Sequence, residues 1–285
     1  MQLDKERVLK IIHAAIKEDM PLGDITTDNV ISSDKSTKAV IVANEEFVLC
    51  GINIAEWILN EINNEIAFKP MFKDGQTVFA GQEIAFIQGN ARGILKAERS
   101  MLNFISILSS ISTKTRKYVD KVKSYQTKIL DTRKTIPLLR YLQKYAVFIG
   151  GGTNHRMSLS DMVMIKDNHI AIEKKQLNIE NIRTRVQTNI KIEVEVDSLE
   201  QFRDIIIQKP DIILLDNMNV DTVCKAVDMR NDFFNNTDWH VLLEASGGMG
   251  IDNIENYAKS GVDMISVGAL TDEIKGVDVS LNFIV

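Results

Sequence analysis

Cationic side chains are concentrated in one part of this chain, between residues 128 and 170. Two short apolar runs in this segment, 129–130 and 162–165, both end abruptly in polar and charged residues. The cationic residues that follow these runs or lie between them are Arg133, Lys134, His155, Arg156, Lys166 and His169. Arginine offers a planar fork to carboxylate or phosphate, whereas lysine offers a compact point charge. The segment therefore predicts a binding site for a ligand with several negative charges.

Later apolar runs end in the same way, in an acidic residue or in glycine. These runs are 192–196 before Asp197, 212–215 before Asp216, 241–243 before Glu244 and 264–267 before Gly268. A charged turn after one strand is usually a solvated loop. A series of six strands that each deliver polar or glycine residues at the carboxyl end is more typical of one shared site.

Two carboxylates of this series, Glu195 and Asp216, are placed to contact a ligand. Carboxylates at strand ends bind ribose hydroxyls or help to hold Mg²⁺, which prefers a few carboxylates together with water and phosphate oxygens. They can also pair with the lysines and arginines of the same edge, and the two uses are compatible. Glu193 lies two residues before Glu195 and faces the same side of its strand, which predicts a column of polar side chains there.

Glycine loops follow the last two strands of the series. Residues 246–248 read Ser-Gly-Gly and residues 267–269 read Val-Gly-Ala. Glycine lets backbone N–H groups approach a phosphate, although a Gly-Gly pair is more often a plain tight turn. Both interpretations stay open, and the cationic segment favours phosphate binding. His155 and His169 have no third His or Cys at ligand spacing, so we do not predict a zinc site.

The elements that must position these residues alternate between strand and helix from residue 128 onward. A βαβα series predicts a parallel sheet with helices outside it, and six strands rather than eight predict an incomplete barrel. One helix of this series is predicted to begin at Pro137, because proline suits a first helical turn. Before residue 128 the chain predicts helices, a β-rich piece and a long helix near 94–125. The alternating tail, 277–285, predicts a strand that returns to the N-terminal sheet.

Composition excludes several other classes of protein. The chain has 285 residues and a net charge of -5, so the cationic segment lies on an acidic background and does not predict nucleic-acid binding. Cys50 and Cys224 are far apart and predict reduced thiols. The N-terminus lacks a signal-peptide core, and no apolar run approaches membrane-spanning length. We expect a cytoplasmic protein without a membrane partner.

Nine motifs, in order along almost the whole chain, resemble the quinolinate phosphoribosyltransferase (decarboxylating) family, also called nicotinate-nucleotide pyrophosphorylase. They are GDITTD (23–28), AERSMLNF (97–104), DTRKTIP (131–137), GGGTNHR (150–156), IKDNHI (165–170), EVEVDSLEQ (193–201), LLDNM (214–218), LEASGG (243–248) and ISVGALT (265–271). Because they run in order, the resemblance is more specific than any single motif.

The resemblance implies a fold, an assembly and a reaction. The fold is an N-terminal open α/β sandwich, residues 1–112 completed by about 273–285, followed by an incomplete α/β barrel of six or seven strands, residues 113–272. The assembly is a homodimer or higher homo-oligomer with shared active sites. The reaction joins quinolinate to phosphoribosyl pyrophosphate, with Mg²⁺, and releases pyrophosphate and CO₂ to give nicotinate mononucleotide for NAD synthesis.

The resemblance also implies residue roles. Arg99 is supplied by the neighbouring subunit, and Arg133, His155 and Arg156 hold the dicarboxylate. Lys134 and Lys166 are catalytic and lie between the two substrates, whereas Glu195 and Asp216 serve catalysis, the ribose hydroxyls and the Mg²⁺ shell. The remaining substrate-binding residues are Thr132 and the phosphate cradle, Ser246, Gly247, Gly248, Val267, Gly268 and Ala269.

Two departures from the family pattern and three alternatives accompany this interpretation. The family often has Thr-Pro-Gly-Leu where this chain has Ile136-Pro137-Leu138-Leu139, and arginine where Phe148 stands. One alternative is the related phosphoribosyltransferase family linked to molybdate transport, which usually lacks the KDNH segment present here. The others are a phosphoribosyltransferase for another pyridine or pyrimidine acid, and an anion-binding barrel without catalysis.

Overall fold

The computed structural model describes residues 1–173 and 177–284. The chain divides into two compact units. The first comprises Met1–Arg116, Thr135–Gly151 and Glu273–Val285, and the second comprises Lys117–Lys134 and Gly152–Asp272. No helix among the described residues is both long enough and apolar enough to cross a membrane.

The strands and helices alternate along the chain. The strands are β1 (Ser36–Ala43), β2 (Phe47–Val48), β3 (Ala67–Pro70), β4 (Thr77–Val78), β5 (Glu83–Asn90), β6 (Lys128–Leu130), β7 (Val163–Ile165), β8 (Ile192–Val196), β9 (Ile212–Asp216), β10 (Leu242–Ser246), β11 (Met264–Ser266) and β12 (Val279–Ile284). The helices are α1 (Lys5–Asp19), α2 (Ile25–Val30), α3 (Ile52–Ile62), α4 (Ala91–Val122), α5 (Arg140–Ile149), α6 (Asp167–Glu173), α7 (Ile179–Arg183), α8 (Leu199–Ile206), α9 (Val220–Thr237), α10 (Ile254–Lys259) and α11 (Ala269–Asp272).

The first unit is built on an antiparallel sheet with the strand order β12-β1-β5-β3. The C-terminal strand β12 pairs with β1, with Ile41 opposite Leu281. Alternate residues of β1, Ala39, Ile41 and Ala43, are fully buried, as expected for a strand with one face in the core. The chain tail is therefore part of the sheet that the N-terminal region begins.

Helix α4 binds the irregular backbone next to β2 through its hydroxyl side chains. Ser109 Oγ accepts from Cys50 N at 2.9 Å and donates to Cys50 O at 3.2 Å. Ser112 Oγ donates to Val48 O at 2.7 Å, and Thr113 Oγ1 accepts from Val48 N at 2.8 Å. These bonds satisfy buried backbone groups that have no ladder partner, so the serines inside α4 serve packing.

The segment Thr135–Gly151, which contains α5, belongs to the first unit. This differs from the predicted division, which placed all of 113–272 in the barrel. Tyr145 of α5 donates a hydrogen bond to Asp74 at 2.9 Å, and Gly150 O accepts from Arg116 Nε at 3.0 Å. A Cβ on Gly150 would lie 2.5 Å from Ser112 O, so this glycine permits close packing of α5 on α4. Packing within the first unit therefore explains why this segment leaves the barrel.

Helix α5 begins at Arg140, three residues later than predicted from Pro137. Leu138 has a φ of 67°, which lies in the left-handed region, so the chain cannot run helically from Pro137. This is the position at which the family often has glycine. The side chain of Leu138 is 91% exposed, so it gains little from burial in this chain.

The second unit is built on a parallel sheet with six strands in the order β6-β11-β10-β9-β8-β7. Within the described residues β6 and β7 are the two ends of this order, so the sheet is not closed. The observed strands match the six predicted apolar runs to within a few residues. The predicted fold class, an α/β protein with an N-terminal open α/β sandwich and an incomplete α/β barrel of six or seven strands, is thus confirmed.

We predict that Leu138→Gly stabilises the first unit. A left-handed backbone costs an L-residue about 1–2 kcal/mol, and the greater unfolded-state freedom of glycine offsets about 0.5–1 kcal/mol of the gain. The expected rise in the free energy of unfolding is at most about 1 kcal/mol, measured by thermal or denaturant unfolding.

Leu139→Gly is the matched control for Leu138→Gly. Leu139 has a φ of -94°, which any residue adopts, so glycine there should lower stability by about 1 kcal/mol. If Leu138→Gly destabilised the protein as much as Leu139→Gly does, the left-handed conformation would not be the controlling factor.

Candidate active site

The carboxyl ends of the second unit's strands meet at one edge, because all neighbouring pairs in this sheet are parallel. Lys134 follows β6 and Lys166 follows β7, while Glu195 and Asp216 end β8 and β9. The predicted glycine loops follow β10 and β11. Parallel topology thus brings these predicted catalytic and phosphate-binding residues to the same edge, as in other α/β proteins.

Asp131, just after β6, fixes the Asn154–Arg156 segment beside that strand. Its carboxylate accepts from Asn154 Nδ2 at 2.7 Å and from His155 N at 2.9 Å, and the side chain is fully buried. Thr153 forms a parallel bridge with Leu130, and its N–H donates to Ile129 O at 2.8 Å. The two halves of the cationic segment are therefore held together at β6.

His155 contacts two buried carboxylates. Its Nε2 lies 3.1 Å from Glu193 Oε2 and 3.4 Å from Glu244 Oε2. The side chains of Glu193 and Glu244 are 0% and 1% exposed. The other ring nitrogen, Nδ1, accepts a hydrogen bond from Arg156 N at 2.8 Å. Both ring nitrogens of His155 therefore contact protein groups.

These three side chains hold a proton together. Burial alone lowers the pKa of His155, but its hydrogen bonds to Glu193 and Glu244 raise it overall to about 10. Burial and the Glu244 charge raise the pKa of Glu193. Both pKa shifts favour a bound proton. The cluster therefore holds one proton more than a neutral imidazole and two ionised carboxylates would hold. The Arg156 N–H points at Nδ1 and disfavours a proton there, so the additional proton lies on the Nε2 side, between the imidazole and the two glutamates.

Arg156 extends from this cluster toward the start of β7. Its Nη1 donates to Met162 O at 3.3 Å. Burial and the nearby Arg133 charge lower its pKa, whereas Glu193 and Asp161 oppose that shift. Two guanidinium groups are therefore close enough to repel each other, and buried carboxylate charge compensates for the repulsion.

Lys166 and Glu195 form an ion pair across the ends of β7 and β8. The Lys166 side chain is 40% exposed and that of Glu195 is 13% exposed. Lys166 N also donates to His169 Nδ1 at 3.0 Å, which holds the start of α6. The prediction that these carboxylates pair with lysines is correct for Glu195. Its predicted contacts with ribose or Mg²⁺ stay predictions.

The loops after β9 and β10 touch each other. Asp216 lies opposite Ser246 in the sheet, and Asn217 N donates to Ser246 O at 2.9 Å. Gly247 has a φ of +92°, and a Cβ there would lie 2.1 Å from Asn217 Oδ1. Glycine is therefore required at 247 by both conformation and space. Its backbone forms part of the edge where a phosphate is predicted.

Lys134 lies against the loop after β11. A Cβ on Gly268 would be 3.1 Å from Lys134 Cδ and 3.6 Å from Lys134 Nζ. Thr271 Oγ1 donates to Lys134 O at 2.6 Å, and Thr132 Oγ1 accepts from Lys134 N at 3.0 Å. The lysine ammonium is thereby placed beside the Val267–Ala269 segment, because glycine leaves room for its side chain.

Arg99 lies on α4 in the first unit, and its side chain is 69% exposed. Its Nη2 is 4.0 Å from Glu98 Oε1, which is a weak surface contact. The other predicted site residues all belong to the second unit. The predicted role of Arg99 in a neighbouring subunit's site stays a prediction.

Sequence reasoning missed the parts played by Asp131, Glu193 and Glu244 around His155. The alternation in Ile192–Val196 did indicate a polar column on one face of β8. It did not indicate that Glu244 approaches the same imidazole from β10, two strands away. A buried acidic residue in the middle of an otherwise apolar strand is the signal that would have identified both glutamates.

The second unit's fold and site define a class: an α/β protein with an open parallel sheet whose carboxyl edge carries cationic, acidic and glycine residues. Sequence profiles described as the C-terminal and N-terminal domains of quinolinate phosphoribosyl transferase match residues 111–282 and 24–109. The chain belongs to the quinolinate phosphoribosyltransferase family, as its sequence motifs indicated.

Relatives cover almost the whole chain. A probable nicotinate-nucleotide pyrophosphorylase [carboxylating] of Methanocaldococcus jannaschii is 41% identical over 98% of both chains. A nicotinate-nucleotide pyrophosphorylase [carboxylating] of Mycobacterium leprae is 40% identical over 95% of both. The solved structure of the nicotinate-nucleotide pyrophosphorylase from Francisella tularensis has a TM-score of 0.91 and 38% identity, and the match covers 99% of this chain and 98% of that one.

We predict that the His155 cluster makes stability fall with rising pH on the alkaline side. In the folded protein the contacts of His155 with the two glutamates keep the cluster's additional proton up to a pKa of about 10, whereas in the unfolded chain the imidazolium proton is lost near pH 6.5. The stabilisation is therefore complete below pH 6.5 and is lost toward pH 10. The measurement is the melting temperature of wild type and His155→Gln between pH 7 and 10. Wild type should lose more stability than the variant, and parallel curves would contradict the prediction.

Proposed function

We propose that this chain transfers the phosphoribosyl group of phosphoribosyl pyrophosphate to quinolinate, with release of pyrophosphate and CO₂, and forms nicotinate mononucleotide. The observation that carries this proposal is the position of Lys134, Lys166, Glu195 and Asp216 at one edge of a parallel sheet. Family membership and the relatives named nicotinate-nucleotide pyrophosphorylase support the same reaction.

The cationic segment is the proposed site for quinolinate. Arg133 and Arg156 are close enough to affect each other's charge, so together they offer two guanidinium groups to a dicarboxylate. Binding of the acid relieves their repulsion, because each carboxylate neutralises a cation. The structure of the site therefore favours a doubly charged acid over a singly charged one, which supports quinolinate as the substrate class.

The glycine loops are the proposed site for the phosphate groups. Ser246–Gly248 and Val267–Ala269 follow neighbouring strands, and Lys134 lies against the second loop. Backbone N–H groups and the Lys134 ammonium are suitable partners for the 5′-phosphate and the pyrophosphate. On the other side of the edge, Lys166 and Glu195 are placed for the ribose and the leaving group.

The carboxylates of Glu195 and Asp216 fit a magnesium ion in the proposed complex. They end neighbouring strands, and Mg²⁺ binds one or two carboxylates together with water and substrate phosphate oxygens. A bound Mg²⁺ neutralises charge on the pyrophosphate group. Because Glu195 is already paired with Lys166, substrate binding must share or replace that ion pair.

In the first proposed step the pyridine nitrogen of quinolinate attacks the anomeric carbon of the ribose. The new C–N bond forms while the C–O bond to pyrophosphate breaks, and the leaving oxygen takes the electron pair. The ribose gains positive charge in the transition state, which Glu195 and Asp216 are placed to stabilise. The contribution of the protein is positioning and charge neutralisation, for which the lysines are suited by their position.

In the second proposed step the ribosylated ring loses its 2-carboxylate as CO₂. The C–C bond breaks, and its electron pair remains on C2 next to the positively charged ring nitrogen, which stabilises it. C2 then takes up a proton from the medium, so atoms and charge balance. The arginine site must release this carboxylate, so weakening of one guanidinium contact would favour the step.

The proposal is tested by CO₂ release from quinolinate labelled in its 2-carboxylate, with and without phosphoribosyl pyrophosphate and Mg²⁺. Release that requires both supports the proposal. Binding of quinolinate without release identifies an anion-binding barrel without catalysis. Turnover of another pyridine or pyrimidine acid, but not of quinolinate, identifies a different phosphoribosyltransferase, including the family linked to molybdate transport. Either of these results overturns the assignment.

We predict that Lys134→Ala lowers kcat by about 10²–10³, because it removes a positive charge from the site of the leaving group. Lys134 is exposed, so the variant should keep the wild-type melting temperature. The exposed Lys128 at the start of β6 provides a control, and Lys128→Ala should leave kcat unchanged. Near-normal turnover of folded Lys134→Ala would remove this lysine from the mechanism.

We also propose that the enzyme works as a homodimer or higher oligomer in the cytoplasm and that Arg99 reaches the site of a neighbouring subunit. Arg99 is exposed in the single chain, which supports an intermolecular role. Cys50 and Cys224 are free thiols, which supports a reducing compartment.

Mixing Arg99→Ala and Lys134→Ala chains tests the shared site. Each variant alone should be nearly inactive, whereas a hybrid dimer contains one site with both native residues. Random exchange of subunits should restore up to about a quarter of wild-type activity. Absence of any recovery, with exchange verified by differently tagged chains, would contradict a shared site.

A further inference from the structure

Two fully buried glutamates lie beside one imidazole nitrogen below the candidate active site. Glu193 on β8 and Glu244 on β10 lie on either side of β9, opposite Ile212 and Leu214 respectively. Both carboxylates approach His155 Nε2, at 3.1 and 3.4 Å. Within the described part of the chain, Glu193 Oε1 and Glu244 Oε2 have no hydrogen-bond partner of acceptable geometry.

Such a pair is expensive to bury and contributes little to stability. Two neighbouring carboxylates repel each other and lose their hydration, and one imidazole cannot satisfy all four oxygens. Apolar side chains of similar size would pack at this level of the sheet at lower cost, as Ile212 and Leu214 do on the same face of β9. A role in the activity is therefore a better explanation for the pair than a role in folding.

The three side chains have the composition of a metal site, but the hydrogen bonding of the imidazole opposes that use. The ligand atoms of His155, Glu193 and Glu244 all lie within 4.8 Å of one another. A histidine that binds a metal through Nε2 carries its proton on Nδ1 and donates it. Here Nδ1 accepts from Arg156 N at 2.8 Å, so the proton is on Nε2, where a metal would have to bind.

We propose that Glu193 and Glu244 are positioning residues for the dicarboxylate site: they hold His155 by its Nε2–H, and His155 in turn holds Arg156 through Nδ1. His155 thereby connects the buried glutamates to the backbone of Arg156. This inference rests on the proposed function, because it concerns how the quinolinate site is built. It differs from the role implied by family resemblance, in which His155 contacts the substrate itself.

The contacts form a continuous path from the strands to the guanidinium. Asp131 holds His155 N at 2.9 Å, and the glutamates fix the ring, so neither end of His155 can rotate freely. The ring accepts the Arg156 N–H, and Arg156 Nη1 reaches Met162 O at 3.3 Å. Arg156 is therefore fixed at its main chain and at its guanidinium before any substrate binds.

The cluster also has an electrostatic effect on the arginines. Burial and the charge of Arg133 oppose the charged form of Arg156, whereas Glu193 favours it. Asp161 acts in the same direction, and Asp131 adds a second buried carboxylate beside the segment. Two guanidiniums are thus kept together without a bound acid, which lowers the cost of preparing the site.

The first test uses the imidazole ¹⁵N signals of His155 in wild-type protein at neutral pH, assigned by their loss in His155→Gln. The expected state has a proton on Nε2 and a bare Nδ1. A bare Nε2, or protons on both nitrogens, would break the path to Arg156 and overturn the inference without any variant in the glutamates.

The second test compares Glu193→Gln and Glu244→Gln with wild type in quinolinate turnover. Glutamine keeps the size of the side chain but replaces a carboxylate beside Nε2–H with a neutral amide. The KM for quinolinate should rise by about tenfold, as for loss of a charge-assisted hydrogen bond, while kcat and the KM for phosphoribosyl pyrophosphate change much less. The Kd for benzene-1,2-dicarboxylate, which lacks the reacting nitrogen, should rise in parallel.

Asp263→Asn is the control, because Asp263 is an acidic residue of the same unit that comes just before β11, at the amino edge of the sheet and not at the edge of the candidate site. It pairs with Arg230 at 2.7 Å and accepts from Leu243 N at 2.7 Å, away from His155. This variant should lower the melting temperature without a selective change in the KM for quinolinate. If the glutamine variants behave like Asp263→Asn, the glutamates are only structural and the inference is wrong.

The outcomes separate this inference from the proposed function. If wild type releases CO₂ but the glutamine variants show no selective loss of quinolinate binding, only the positioning role fails. If wild type neither binds nor converts quinolinate, the proposed function fails and the inference fails with it. If the variants bind benzene-1,2-dicarboxylate normally but lose kcat, the glutamates act on the reaction and not on Arg156, which also overturns it.

Discussion

Repulsion between like charges is the constraint on which this molecule's site depends. The site collects guanidinium and ammonium groups from distant positions, and each cation raises the cost of the next. Carboxylates at two depths of the second unit's sheet offset this repulsion. Glu195 pairs with Lys166 near the surface, and Glu193 and Glu244 lie fully buried next to His155. The cations can therefore be close together before any anionic ligand is bound.

The parallel sheet makes this arrangement possible because it separates the two levels. Residues two apart on β8 face the same way, so Glu193 and Glu195 form a column with different solvation. The upper carboxylate, Glu195, is partly exposed and pairs with Lys166. The lower pair contacts a buried imidazole and is shielded from salt, so its effect on the arginines is weakly screened. Strand β8 thus carries one carboxyl group at the partly exposed edge of the sheet and another in its buried interior.

Much of this architecture could be read from the sequence. Apolar runs ending in polar residues gave all six strands of the parallel sheet, and ordered motifs gave the family. Local pattern failed where tertiary contacts decide. Proline favoured a helix from Pro137, but the left-handed Leu138 delays it to Arg140. The approach of Glu244 to His155 depends on strand order, which spacing does not encode.

The segment Thr135–Gly151 belongs to the first unit although it lies between two segments of the second. This arrangement bears on how the length of the segment can change. Arg133 and Lys134 come directly before this segment, and His155 and Arg156 come shortly after it. The parallel bridge between Leu130 and Thr153 holds the two chain segments that flank Thr135–Gly151 next to each other. Insertions or deletions within Thr135–Gly151 would change the length of this segment but not the distance between the two segments that flank it. Contacts within the second unit, and not the length of this segment, therefore set the positions of the charged residues that flank it.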